Sequence, residues 1–332
     1  MKKLYLLLLI FSITIKLSAQ HYWMQQAGGT TIDAGVDIGL DPFGNTYSTG
    51  YFTSEATFGP FMLTSAGVED IYLSKSDSTG HFVWAVKAGG AGSDRPTSLK
   101  VDRDGNCFIT GYFYGTATFG SYNVTSTGVQ DIFIAKYDSA GTCLWVKSAG
   151  SVGTDIGYGI GIDNAGNCVV TGEFIGTATF GTFTLVSMDS TIDVFTTKLD
   201  ANGNFLWVKQ GAGPQIDRGL DVACDALGNV YVTGQFTDTI TFDVPFNNNM
   251  YNAIFLIKYN ASGSEQWVTR AGGGTFNIAR AIAIDNNQDP IITEDYTGIL
   301  TFFSTTHSMT YLYGNCLNNH PFITPPPERM VV

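Results

Sequence analysis

Positive charge is scarce in this chain. Lys and Arg number 17 against 29 Asp and Glu, leaving a net charge of −12 over 332 residues. Phosphate backbones and anionic bilayers are held by clustered basic side chains, so nucleic acid and acidic membrane surfaces are excluded as partners. Histidine is rarer still. His21, His81, His307 and His320 keep no metal-ligand spacing, and none stands in a Ser-His-Asp context. No Gly-rich loop leads from a strand into a helix, which removes the usual phosphate cradle. Helical periodicity is missing throughout, so the chain reads as all-β. Long apolar runs are also missing, with one exception at the start. Lys2 and Lys3 precede a mostly apolar stretch from Leu4 that Lys16 interrupts, and Leu17-Ser18-Ala19-Gln20 offers small residues for cleavage. The run is roughly 12 residues, short of the ~20 that span a bilayer, so residues 1–19 are expected to be a secretory signal peptide. Secretion or surface display follows from it, with no transmembrane segment.

What is abundant is Gly, at 39 residues, and aromatic side chains, at 13%. Both recur in register. Trp23, Trp84, Trp145, Trp207 and Trp267 stand 61, 61, 62 and 60 residues apart. Lys75, Lys136, Lys198 and Lys258 each precede a Trp by nine residues, and Phe58, Phe119, Phe180, Phe242 and Phe302 each close a Thr-Phe step. "VDRDGNCFITGYFYGTATFG" at 101–120 has close copies at 40–59 and 162–181. A fixed period outranks any local feature. Within each period, β-branched and aromatic runs are separated by Asp-x-x-Gly turns, and a further hairpin is expected between the Thr-Gly run and the Lys run. Four or more strands per period, apolar on both faces, fit β-propeller blades stacked face to face. A β-solenoid competes, but its coils are usually shorter. Small residues at Gly39, Gly161, Ala223 and Ala283 fit a crowded inner strand, and the Trp strand is expected to be outermost.

The order Lys strand, Gly turn, Trp strand, Gly-rich turn, Asp-x-x-Gly-Asn turn and Thr-Gly strand, as in "DIFIAKYDSAGTCLWVKSAG" followed by "GIDNAGNCVVTGEF", resembles the bacterial β-propeller repeat known as SBBP. The resemblance covers about residues 22–305. It implies a propeller fold and export or surface display, and no single activity, because function must be argued from the site. About five blades are expected over 20–312, with an irregular, truncated tail at 313–332. If the Trp23 strand completes the last blade, the ring closes by joining its ends; the alternative is an arc of a larger ring. The Lys strand is clear four times, and "LYGNCLN" stands where a fifth belongs.

Cys107, Cys143, Cys168, Cys224 and Cys316 form no CxxC and no paired framework. Cys107, Cys168 and Cys224 replace strand residues of other copies, which makes buried free thiols the expectation. "DRDGN" at 102–106 has the look of a Ca²⁺ loop, but the twelfth position is Phe113 rather than Glu, so tight turns are expected and no metal or cofactor. Function is sought where the copies disagree. The residue between Gly and the aromatic in the Thr-Gly strand is Tyr51, Tyr112, Glu173, Gln235 and Asp295 in turn, the last in a "TEDY" variant where Glu294 replaces Gly. These five are the candidate ligand positions. The expected protein is an exported, monomeric binding or surface-display module for a glycan or an envelope protein. A carbohydrate-active enzyme with Glu173 and Asp295 facing across the channel mouth is the alternative.

Overall fold

A computed structural model describes residues 23–243, 245–247, 252–272, 277–296, 301–302 and 310–316. The expected signal peptide and the chain beyond Cys316 lie outside the described residues. The chain is all-β, and one 3₁₀ turn at Met188–Ser190 is its only helical element among them. Four consecutive sheets share one antiparallel order of inner, Thr-Gly, Lys and Trp strand. Sheet one is Asp33–Leu40, Thr46–Phe52, Asp70–Ser76 and Phe82–Gly90. Sheet two is Arg95–Val101, Cys107–Phe113, Asp131–Tyr137 and Cys143–Ala149. Sheet three is Ile156–Ile162, Cys168–Ile175, Ile192–Leu199 and Phe205–Gly211, and sheet four Arg218–Cys224, Val230–Phe236, Ala253–Tyr259 and Glu265–Gly272. A fifth sheet pairs Asn277–Ile284 with Pro290–Tyr296. Its third strand, Thr310–Cys316, runs parallel to Pro290–Tyr296, where the Lys strands of the other sheets are antiparallel. The boundary expected at 312 falls inside this strand.

The expected hairpin is present in the first four periods, and its pairing is the less obvious part. Thr116–Phe119 and Tyr122–Thr125 form the ribbon of sheet two, yet Ala117–Phe119 pairs with Ala88–Gly90 on the outer strand of sheet one. The same clasp recurs as Ala27 with Phe58, Gly150 with Thr179, Ala212 with Thr241 and Ala271 with Phe302. Each outer edge is thus covered by the following period, which blunts it as a template for aggregation.

The repeated letters have packing reasons. In the Thr-Gly strand, Thr49, Thr110, Thr171 and Thr233 donate their hydroxyls to the carbonyls of Tyr72, Phe133, Phe195 and Phe255 at 2.8–2.9 Å. The neighbouring Gly admits those same rings: a Cβ at Gly50, Gly111, Gly172 or Gly234 would lie 2.7–2.8 Å from one of them. The Phe of the Thr-Phe step covers the ring from the ribbon, with centroids 4.7 Å (Phe58–Tyr72), 4.9 Å (Phe119–Phe133), 5.0 Å (Phe180–Phe195) and 5.2 Å (Phe242–Phe255) apart. The Asp-x-x-Gly-Asn segments are turns, as expected. Asp102 accepts the Asp104 and Asn106 amides and the Asn106 side chain at 2.7–2.9 Å, while Gly105 takes φ +79°. The Lys residues serve both expected roles: Lys198 pairs with Asp163 at 2.9 Å, and Lys75 lies over the Tyr47 ring. Cys107, Cys143 and Cys168 are buried free thiols, and Cys224 is partly buried.

The core is a stack of layers between sheets. Tyr47, Leu73 and Trp84 of sheet one meet Leu99, Ile109 and Phe133 of sheet two, and equivalent clusters fill the next three junctions. Burying each large side chain contributes about 1.5–3 kcal/mol. The inner strands follow one another in chain order across the stack. The architecture is therefore propeller-like.

Candidate functional site

All five inner strands carry a β-bulge at one repeated position. The register with the Thr-Gly strand slips between Gly35 and Asp37, Pro96 and Ser98, Gly157 and Gly159, Gly219 and Asp221, and Ala279 and Ala281. A bulge leaves one residue out of the ladder and re-aims its side chain. Here the extra residues are Val36, Thr97, Tyr158, Leu220 and Arg280, and all five line one cavity of about 600 Å³. Five copies of one backbone device thus present five different side chains to a common space. Tyr51, Arg95, Lys100, Tyr112, Asp37 and Asp221 complete its principal wall.

The polar groups in this wall are mostly committed. Arg95 reaches back to sheet one, where its Nε and Nη2 donate to Glu69 at 2.6 Å each, and its guanidinium lies 4.2 Å from the centre of the Tyr51 ring. The Arg95 hydrogen bonds hold the Glu69 carboxyl below its ordinary value. Asp37 accepts the Leu99 amide at 2.7 Å and the Ser98 hydroxyl at 3.1 Å, tying sheet one to sheet two. Asp221 does the same for the Ile282 amide at 2.8 Å, and burial raises its carboxyl. Thr97 donates to the Gly157 carbonyl of sheet three. Tyr112 stands edge-on to Tyr114, ring centroids 6.2 Å apart, and burial raises its phenol. Lys100 occupies the inner-strand position where the other copies have Gly39, Gly161, Ala223 and Ala283, and it is exposed on the cavity wall.

Of the five candidate positions, Tyr51 and Tyr112 line the cavity and Glu173, Gln235 and Asp295 do not. Glu173 is buried and bonded to Arg218, and its charge works with burial to raise the phenol of Tyr158, which is on the wall. Asp295 pairs with Arg280 at 2.8 Å, so Arg280 reaches the wall in its stead. Gln235 lies opposite Arg218 in the pairing of the two innermost strands of sheet four. Glu173 and Asp295 are each held by an arginine, and neither lines the cavity. Among the described residues, no three His, Cys, Asp or Glu side chains gather for a metal ion, and no helix is long and apolar enough to cross a membrane. The bulge residues are not among the five positions expected from the Thr-Gly strand. Their signal was present: Gly-Val-Asp, Pro-Thr-Ser, Gly-Tyr-Gly, Gly-Leu-Asp and Ala-Arg-Ala vary most at the middle letter, between mostly small neighbours.

No family model matches the chain. It is similar to an uncharacterized WD repeat-containing protein of Acanthamoeba polyphaga mimivirus, 22% identical over 377 aligned positions covering 91% of this chain and 27% of that protein. It is also similar to the regulatory protein FlaEY of Caulobacter vibrioides, 32% identical over 111 residues, which are 32% of this chain and 12% of that protein. The chain spans less than a third of the length of either relative. A crystal structure of a protein of unknown function from Bacteroides caccae aligns at 11% identity with a TM-score of 0.35, over 71% of this chain and 81% of that one.

Proposed function

We propose that the chain is a five-bladed β-propeller of the SBBP type, exported and non-catalytic, that binds a glycan in the cavity built by its five inner-strand bulges. The observation that carries this reading is the convergence of Val36, Thr97, Tyr158, Leu220 and Arg280 on one space. Five different side chains presented to a shared cavity by one repeated backbone device have the pattern of a recognition surface on a constant scaffold. The ligand class follows from the wall. Tyr51, Tyr112 and Tyr158 offer aromatic rings to the apolar faces of sugars, and Lys100, Arg280 and the tyrosine hydroxyls offer donors to their oxygens. The volume lies in the ordinary range for small ligands, roughly 300–1,000 Å³.

Similarity to a WD repeat-containing protein accords with a ring. So does the state of sheet one. Ile38 is 65% exposed, whereas its equivalents Leu99, Ile160, Val222 and Ile282 are at most 8% exposed beneath the preceding sheet. Trp23 already covers the Gly80 turn, as Trp84 covers Gly141, Trp145 covers Gly203 and Trp207 covers Gly263. The Trp23 segment thus has the outer-strand role of a sheet that belongs on this face, and among the described residues the fifth sheet has no outer strand of its own. Sheet five seated on Ile38 closes the ring.

The test is a glycan array probed with the protein from Gln20 onward, beside a Tyr51→Ala/Tyr112→Ala variant of equal thermal stability. Binding by the former that weakens at least tenfold in the latter is expected. Absence of glycan binding, with capture of one envelope protein instead, replaces the ligand class. Equal binding by both removes the site.

A further inference from the structure

Six aspartates outside the cavity stand two by two at the three junctions between the first four sheets. Asp70, Asp131 and Asp193 stand at the head of the Lys strand of sheets one, two and three. Asp94, Asp155 and Asp217 immediately precede the inner strands of sheets two, three and four. All six are buried. In each pair the two carboxyls lie beside the glycine turn that joins the sheets, close enough for one charge to oppose the other's ionisation. A Cβ at Gly89 would lie 2.8 Å from Asp70 Oδ1 and 2.9 Å from Asp94 Oδ2. One at Gly150 would lie 2.9 Å from Asp131 Oδ1, and the next residue, Ser151, donates its amide and hydroxyl to Asp155 Oδ2 at 2.6 and 2.9 Å. The Gly213 amide donates to Asp193 Oδ1 at 3.4 Å, and a Cβ there would press on Asp217 Oδ2.

The hydrogen bonds are divided unequally at all three junctions, in favour of the aspartate before the inner strand at the first two and of the one on the Lys strand at the third. One member has donors on both oxygens. Asp94 accepts the Gly90 and Tyr114 amides, Asp155 accepts Ser151 and the Ile175 amide, and Asp193 accepts the Met188 and Gly213 amides and the Gln210 side chain. The other member keeps one oxygen buried without a partner: Asp70 Oδ1, Asp131 Oδ1 and Asp217 Oδ2. Two ionised carboxylates at such a distance from water are costly, and an acceptor with no donor adds to the cost. A proton on the orphan oxygen resolves both. The surroundings favour a proton over a metal ion, since the pairs are ringed by amide and hydroxyl donors rather than by further oxygens. The charged groups that face them are Lys87, 3.5 Å from Asp70, and Asp189, which opposes ionisation of Asp193. The uncharged ones are Ser65, Thr127, Ser151 and Gln210. The junction between sheets four and five supplies the contrast. Ala253 and Asn277 occupy the equivalent places there, and Asn277 Nδ2 donates to the Asn252 carbonyl at 2.6 Å.

We propose that each of the three junctions holds one proton, carried by the orphan oxygen and donated to the neighbouring carboxylate, and that loss of these protons to solvent at raised pH loosens the stacking of the sheets. The sign follows from burial, which raises the carboxyls of Asp70 and Asp131 and pushes Asp217 up to about 8 from an ordinary 3.8. A carboxyl raised in the folded state stabilises the fold fully below its unfolded value, and that contribution is lost as pH rises through the folded value. For Asp217 the window therefore opens near pH 4 and closes near pH 8.

Urea unfolding of the full chain, followed by Trp fluorescence from about pH 5 to about pH 9, tests the proposal on wild type and on the triple variant Asp70→Asn/Asp131→Asn/Asp217→Asn. The Asn amide supplies the donor without a titrating proton. The wild-type folding constant is expected to fall relative to the triple variant by up to about tenfold per pH unit for each proton still held. The infrared carbonyl band of protonated carboxyls should shrink in the variant. Parallel pH profiles, or an unchanged band, overturn the proposal. Should the triple variant fail to fold, the single Asp217→Asn change carries the same test for one proton, and an unaltered slope sinks it.

Discussion

The Trp84 indole donates to the Ser139 carbonyl at 3.1 Å, and the two residues belong to different sheets. Trp145 and Trp207 repeat the bond one sheet on, to Ala201 and Ala261 at 3.1 and 3.3 Å. In each case the ring lies against a turn glycine with φ between +82° and +84°. The regularly spaced Trp is thus a latch between neighbouring sheets as well as part of the layer packed between them.

Replacing that latch should act on the junction. Trp84→Ala is expected to destabilise by about 3–5 kcal/mol through lost packing. Trp84→Phe keeps most of the ring and should lose about 1 kcal/mol with the hydrogen bond. Equal costs for the two changes in urea unfolding would contradict the latch.

Arg95 ties Glu69 of sheet one to the cavity wall. Arg95→Met leaves a buried carboxylate without its main donor, and should cost about 1–3 kcal/mol. The Glu69 carboxyl should then titrate higher, because its hydrogen bonds from Arg95 are what hold it down. Carbon-detected NMR titration of Glu69 reads this directly, and an unmoved value refutes it.

At the acid end the dependence has the opposite sign. Burial works against the Asp163 charge, but hydrogen bonds from Lys198 and Asn167 outweigh it and keep the carboxyl below its ordinary value. A depressed carboxyl stabilises the fold above its unfolded value, and the gain is lost as pH falls through the folded value. Lys198→Met should therefore move acid unfolding to higher pH. An acid midpoint identical to wild type, followed by circular dichroism, would show that the pair contributes nothing.

Glu294 is the one position where the Thr-Gly rule is broken, and both its carboxylate oxygens are buried without a hydrogen-bond partner among the described residues. Burial pushes its carboxyl up to about 8. Its contribution is thus lost as pH rises from the unfolded value through about 8. Glu294→Gln should become more stable than wild type by up to about 1.4 kcal/mol per pH unit across that range. Superimposable melting curves at pH 5 and pH 9 for the two proteins would disprove it.

Most of the scaffold could be read from the chain because each repeated letter answers to a local requirement. Asp102 and Gly105 define a turn by themselves, and Gly111 is dictated by one ring on the adjoining strand. The bulges could not be read in this way. Val36 or Tyr158 is extruded by the register between two strands, and neither strand alone records that register. The candidate positions fared accordingly. Tyr51 and Tyr112 have no ion-pair partner and face the cavity, while Glu173 and Asp295 are drawn to Arg218 and Arg280, whose placement depends on the fold. The parallel strand at Thr310–Cys316 follows a stretch where the repeat letters have already lapsed.

The ribbon of each period lies on the outer strand of the period before it, so the sequence repeat and the physical unit are out of phase. As the chain emerges during synthesis, the outer edge of Ala88–Gly90 stays open until Ala117–Phe119 has followed, its inner side being paired within sheet one. A cut placed at the repeat boundary would divide every clasp, whereas a cut just after Thr125 would leave sheet one with its edge sealed. Fragments for expression, and points for joining this array to other chains, are accordingly set by the ribbon and not by the Trp.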